Sequence, residues 1–335
     1  MADPDNDNLT FDSIRQALRE DPTRAALWLR LGEHLASVRQ LDDALGAYLT
    51  ASQVDPERAF AWYRIAQAQR DLNHLDEAQQ SIVRAKALAP ADSAIFALEG
   101  DILIRRGDYS RAEVALRCAV KLQPASSAIM DQLGVLLATQ HRAQEALAVF
   151  DQAIQQDAQA WKPRFNKGIL LRDALKYPRD AMALFEQVLA INPSYTIAWL
   201  EWGVCLSRLH RYREALEKYE RYEKIAEPTA RLCLHQGWAL RGLRQYGEAL
   251  SRLDQAVALD PESADVWEQR GWVLLRLHRY QETLGSMNRA IALDPEFANA
   301  WQGRLTALFR LHRFRECWRD LRYALGLRLK HSTHN

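Results

Sequence analysis

Cysteine, glycine and long apolar runs are all scarce in this sequence. Its 335 residues hold four cysteines, four methionines and fourteen glycines. Cys118, Cys205, Cys233 and Cys317 lie far apart and form no Cys-x-x-Cys pair, so the spacing builds in neither a disulfide framework nor a zinc site. Buried reduced thiols are expected instead. No Gly-x-x-x-x-Gly-Lys, Gly-x-Gly-x-x-Gly, Gly-x-Ser-x-Gly or His-Glu-x-x-His occurs. The chain is therefore read as a non-enzyme, with no catalytic residues, cofactor or metal. No apolar stretch reaches the roughly 20 residues of a bilayer span, and the polar Met1 to Asn8 is unlike a signal peptide. A soluble, cytoplasmic protein is expected. With 44 Lys/Arg against 43 Asp/Glu there is no net field to draw the whole molecule to nucleic acid or a membrane.

What the sequence has in abundance is a period. Trp28, Leu31 and Leu35 recur at i, i+3 and i+7, one face of a helix. Ala44, Tyr48 and Ala51 do the same for a second helix, and Pro56 lacks the N–H that would continue it. Steps of 34 residues carry Trp28 to Trp62, Phe96 and Met130, and after a one-residue slip the row resumes at Trp199, Cys233, Trp267 and Trp301. Four places on stands a small residue: Gly32, Ala66, Gly100, Gly134, Gly168, Gly203, Gly237 and Gly271, with Leu305 breaking the row. The second helices repeat Ala44, Ala78, Ala112, Ala146, Ala181, Ala215 and Ala249, then Thr283 and Cys317. Closing prolines stand at Pro56, Pro90, Pro124, Pro193, Pro228, Pro261 and Pro295.

This pattern resembles the tetratricopeptide repeat, whose signature is Trp, Leu-Gly, an aromatic or Leu, then Ala, an aromatic and Pro over 34 residues. The resemblance covers nearly the whole chain in nine units beginning at Ala25, Ala59, Ser93, Ser127, Trp161, Thr196, Ala230, Ala264 and Ala298. It implies an all-α, right-handed superhelical solenoid of about nine helix-turn-helix repeats. Phe11, Ile14, Ala17 and Leu18 at helical spacing, followed by Pro22, read as a capping half-repeat. The expected organisation is an acidic arm and capping helix over 1–24, repeats one to four over 25–160, an irregular fifth repeat over 161–195, repeats six to nine over 196–331 and a tail at 332–335. The fifth unit combines Ala158 in place of the preceding proline, an opening Pro163 and an insertion at Tyr177-Pro178-Arg179-Asp180. A local change of superhelical pitch is expected there.

In the family the resemblance implies, the fifth, ninth and twelfth or thirteenth residues of each first helix line a concave groove that holds an extended peptide or a partner helix. In the first four repeats these positions are mixed: Leu29 and Glu33, Tyr63 and Gln67, Ala97 and Asp101, Asp131 and Val135. From the fifth repeat they become Phe165 and Ile169, Leu200 and Val204, Leu234 and Trp238, Glu268 and Trp272. Large apolar side chains facing a groove are good anchors once covered. Beside them runs a basic row, Arg70, Arg105, Arg172, Arg208, Arg241, Arg276 and Arg310, which fits an acidic partner. Chaperone-binding members of the family carry Asn at the ninth position of their carboxylate clamp, which no unit here has. The asparagine ladder of sugar-transferring and peroxisomal-import members is reduced to Asn166. Neither recognition mode is assigned. The implied function is a scaffold or adaptor that binds a protein segment chiefly through repeats five to eight. The alternative is a regulatory or substrate-recruiting subunit of an enzyme complex whose catalytic chain is separate. Nucleic-acid binding through the arginine row is the weaker alternative, since no repeating polar pair reads as a base code.

Two further features stand out. His141, His210, His278 and His312 occupy the turn after their first helices. Ladder steps of a helix-pair width are too long for shared metal ligation, so capping of the turn is expected. From Ala298 onward the chain carries 8 Lys/Arg against 2 Asp/Glu, while the front is acidic at Asp3, Asp5, Asp7 and Asp12. No residues remain for a finishing helix, so Trp318, Leu325 and Leu329 on the last apolar face are candidates for a second interface, through which a homodimer or a partner enzyme would dock.

Overall fold

The protein is known here from a computed structural model, which describes residues 10–321. Helix α1 (Phe11–Glu20) opens the described chain. The first helices of the repeats are α2 (Ala25–Ser37), α4 (Ala59–Asp71), α6 (Ser93–Arg105), α8 (Ser127–Thr139), α10 (Trp161–Asp173), α12 (Ile197–Arg208), α14 (Ala230–Gly242), α16 (Ala264–Arg276) and α18 (Ala298–Arg310). The second helices are α3 (Leu41–Val54), α5 (Leu75–Leu88), α7 (Tyr109–Leu122), α9 (Ala143–Gln156), α11 (Pro178–Ile191), α13 (Tyr212–Glu223), α15 (Tyr246–Leu259) and α17 (Tyr280–Leu293). Residues 314–321 are helical after α18. The described residues contain no strand. The fold is thus the all-α stack of helix pairs that the period implies. It divides into two compact units, 1–170 and 171–335, each taken by itself below.

Within a pair the two helices approach closely because the eighth residue of the first is small. A methyl group added at Gly100 would sit 2.6 Å from Leu116 Cγ, and Gly32, Gly134 and Gly203 meet the rings of Tyr48, Phe150 and Tyr219 in the same way. Where Leu305 breaks the row, Gly303 two residues earlier receives Met287. The repeat tryptophans have a polar task as well. The indole N–H of Trp28, Trp62, Trp267 and Trp301 donates to the carbonyl of the proline six residues earlier, at 2.8–2.9 Å, and so ties the turn to the helix that follows it. Pro22 is one of those acceptors, which makes α1 the second helix of a half-repeat. Its Ile14 and Leu18 are buried against Leu27, Leu31 and Tyr48.

The turn inside each pair is set by the backbone. Nine residues spaced one period apart have positive φ: Arg39, Asn73, Gly107, His141, Lys176, His210, Arg244, His278 and His312. In eight of these turns the N–H of that residue bonds the carbonyl three back, and the next N–H bonds the carbonyl five back. This is the left-handed helix stop that glycine suits best, yet Gly107 is the sole glycine among the nine. The fifth repeat differs, since Tyr177 N–H reaches Leu171 O, six back. The extra residue is therefore absorbed before Tyr177, and Pro178 starts α11 where its missing N–H costs nothing.

An L-residue in the left-handed region carries a cost of roughly 1–2 kcal/mol. Arg244→Gly is expected to raise stability by about 0.5–1 kcal/mol, and Gly107→Ala to lower it by about 1 kcal/mol. Paired thermal melts check this. A melting temperature that falls for Arg244→Gly would show that its side chain contributes more than its backbone costs.

Candidate functional site

The face that carries the fifth, ninth and twelfth or thirteenth positions of the first helices divides into paired and unpaired stretches. In the first unit it is mixed, and its charged residues in repeats one to three pair with one another. Arg70 binds Asp71 and Asp101 at 2.8 Å each, and Arg64 binds Glu33. Tyr63, Gln67, Arg70, Asp101 and Gln132 line a cavity of about 330 Å³ spanning repeats two to four. Sequence reasoning passed over this cavity because it weighed apolarity. The readable signal is the run of Gln and Asp at the ninth positions of consecutive repeats.

In the second unit the expected apolar lining is only partly presented. Leu200 and Val204 are 3% and 4% exposed. Leu200 belongs to a core with Leu206, Tyr219, Leu232 and Ala239, so the first helix of the next repeat covers it. Leu234, Trp238 and Trp272 are half-buried; Phe165 and Ile169, which belong to the first unit, are half-buried as well. The Trp272 indole N–H donates to Glu268 Oε1 at 2.6 Å, and Trp238 lies 6.5 Å from the His235 ring. Burial pushes the Glu268 carboxyl up from the usual range.

The basic row separates by what the next repeat offers. Arg172 is buried against Glu201 and bonds Asp173 at 2.5 Å. Arg208 reaches the same Asp173 at 2.8 Å and the Arg172 carbonyl at 2.9 Å. Arg231, outside the row, completes the cluster with Glu201 at 2.7 Å. Arg241, Arg276 and Arg310 have no ion pair among the described residues. Arg70 finds Asp101 at the ninth position of the following repeat, whereas that place after Arg241 is Trp272 and after Arg276 is Thr306. Burial, and then the neighbouring Arg276, push the Arg241 guanidinium down, with Glu268 opposing.

The histidines sit at the left-handed turn positions. His210 Nδ1 lies 2.6 Å from the Tyr212 hydroxyl, His278 Nδ1 lies 2.7 Å from that of Tyr280, and His312 meets Phe314 edge-on. Cys205 and Cys233 are buried, and burial pushes the Cys205 thiol up to about 12. Of the second-interface candidates, Trp318 is 69% exposed beside the exposed Phe314, while Leu325 and Leu329 lie outside the described residues. No helix of the described residues is long and apolar enough to cross a membrane.

Close-packed helix pairs at a fixed period, stopped by the same left-handed turn, define a helical-repeat protein. The chain belongs to the tetratricopeptide repeat family: one tetratricopeptide-repeat profile matches residues 98–160, 165–229 and 234–298, and a second matches 61–92. No curated protein matches its sequence. Among solved structures it is similar to the Cut9–Hcn1 hetero-tetramer of the APC/C, with a TM-score of 0.63 at 15% identity over 90% of this chain and 60% of that one. It is also similar to a tetratricopeptide repeat protein from Parabacteroides merdae ATCC 43184, with 0.58 at 15% over 75% and 98%. Against pilF of Pseudomonas aeruginosa the values are 0.55 at 19% over 62% and 94%. Identities this low show a shared fold. The family is an interaction fold, and this chain is a protein-binding scaffold in that general sense.

Proposed function

We propose that the second unit binds an acidic protein segment bearing large apolar side chains, across α14, α16 and α18. The observation that carries this is the set of unpaired cations Arg241, Arg276 and Arg310 on the elements that also hold the half-buried Trp238 and Trp272. Elsewhere in the row, in Arg70, Arg172 and Arg208, the protein's own carboxylates occupy the guanidinium. A partner's Asp or Glu supplies to the free ones what the following repeat does not. The reading is non-enzymatic, and the four free thiols are compatible with a reducing compartment such as the cytoplasm.

The test is peptide selection on the purified chain, followed by affinity measurement. Selected peptides should carry Asp or Glu with an aromatic or long aliphatic neighbour. Trp238→Ala with Trp272→Ala should weaken them by about 2 kcal/mol or more, as interface aromatics do, with the melting temperature nearly unchanged. Arg241→Glu with Arg276→Glu should abolish the preference for acidic peptides. Affinity should fall as salt rises toward physiological strength, where charges are screened beyond about 8 Å. Peptides without charge bias, or binding indifferent to both double variants, would defeat the reading.

A further inference from the structure

The seventh position of a first helix is leucine in repeats one and four, as Leu31 and Leu133, but polar in five others. In three of the five it is a cation in a fixed register, while in repeat three Glu99 instead takes Lys86, thirteen residues earlier, at 2.7 Å. Lys167 reaches Asp151, sixteen residues earlier on the preceding second helix, at 2.5 Å. Arg270 reaches Asp254 at the same sixteen-residue offset, at 2.7 Å, and also Ser286 sixteen residues later. Arg304 uses the later offset, to the buried Asp320 at 3.1 Å. In each case a cation fills the slot between a first helix and its flanking second helices.

Repeat seven has the slot without the cation. Gln236 stands at the seventh position and Glu220 sixteen residues earlier, and both line a cavity of about 420 Å³ between α13, α14 and α15. Gln236 is 3% exposed, and its Oε1 is buried with no hydrogen-bond partner. The Glu220 carboxylate has no side-chain partner among the described residues, whereas Asp151 and Asp254 in the same register are paired. Glu248 adds a second carboxylate to the wall. The one cation there, Arg252, is engaged by Glu223 at 2.9 Å and Gln255 at 3.3 Å. Leu216 and Leu240 supply an apolar wall.

We propose that this cavity binds an ammonium or guanidinium head carried on a slender aliphatic stem, with Glu220 and Gln236 as acceptors in the place that Lys167 and Arg270 fill for their own repeats. The stem lies on Leu216 and Leu240, and Glu248 keeps the mouth negative. The site uses second helices and the seventh position of α14, away from the fifth and ninth positions of the proposed peptide site, so it stands or falls separately.

The test is calorimetric titration of the full chain with agmatine, with its neutral analogue N-butylurea, and with acetyl-Gly-Arg-Gly-amide. Agmatine or the peptide should bind saturably at one site, and N-butylurea should not. The tighter of the two cations tells a free amine from a partner's arginine side chain. Glu220→Gln, an exposed substitution, should weaken binding about ten-fold or more through loss of a charge-assisted hydrogen bond. Gln236→Leu, which restores the residue of repeats one and four, should keep the fold and also lose binding. Arg252→Gln should strengthen it. No saturable binding of either cation, equal binding of N-butylurea, or affinity untouched in both Glu220→Gln and Gln236→Leu would overturn the proposal.

Discussion

Glu201→Ala is expected to destabilise the second unit by about 3–5 kcal/mol, the usual consequence of stripping one partner from a buried ion pair. Glu201 is 2% exposed on α12. Its carboxylate takes Arg172 from the last turn of α10 and Arg231 from the first turn of α14 at 2.7 Å. One acidic side chain thus links three successive first helices. Its removal leaves Arg172, Arg208 and Arg231 with Asp173 as the only described carboxylate paired among them, and Arg172 is itself 5% exposed. An uncompensated buried guanidinium costs far more than a lost contact. The apolar double variant Arg172→Met with Glu201→Leu should therefore be milder than Glu201→Ala alone, because it removes both charges together. Chemical denaturation of the parent, Arg172→Met, Glu201→Leu and the double variant measures the coupling, with Glu201→Ala alongside. A single variant within about 1 kcal/mol of the parent, or a double variant worse than the single, would mean the pair is not the electrostatic hinge of this unit.

The contrast between what the sequence shows and what it conceals follows from the range of each interaction. Helix pairing was legible because it depends on spacings inside one unit: Trp28 with Leu31, Gly32 opposite Tyr48, Pro56 at the end. The turn histidines were recognisable as turn residues, but the reason for their position is a backbone angle that His shares with Arg39, Asn73 and Lys176, so side-chain chemistry alone did not reveal it. The groove rows could be placed on a helix face, yet their exposure depends on neighbours some 30 residues away. Leu200 disappears beneath Leu232 and Ala239, and Arg172 beneath Glu201. The same holds for the cavity at Gln236, which becomes meaningful only once the sixteen-residue register of Lys167 and Arg270 is seen.

Acid should unfold the second unit earlier than its carboxylates require, and His235 is the expected cause. Its ring lies between Tyr219 and Trp238, with centroids 6.5 Å from each. Burial, then the charges of Arg231, Arg172 and Arg208, push its pKa from 6.5 down to about 4. Between those values the unfolded chain binds a proton that the folded chain refuses. Stability therefore rises with pH across the window: the contribution is complete above about 6.5 and is lost as pH falls toward 4. At about 1.4 kcal/mol per pH unit the loss is on the order of 2–3 kcal/mol. Glu268 works in the opposite direction, since its raised carboxyl takes up a proton more readily when folded, and Asp131 does so in the first unit. The comparison of the parent with His235→Gln isolates the histidine term from both. The parent's melting temperature should decline from pH 6.5 to 4 and the variant's should decline less, while the two converge in slope above pH 7. Parallel profiles through the whole window would mean that His235 accepts its proton without cost, and that the arginines around it are screened by Glu201 and Asp173.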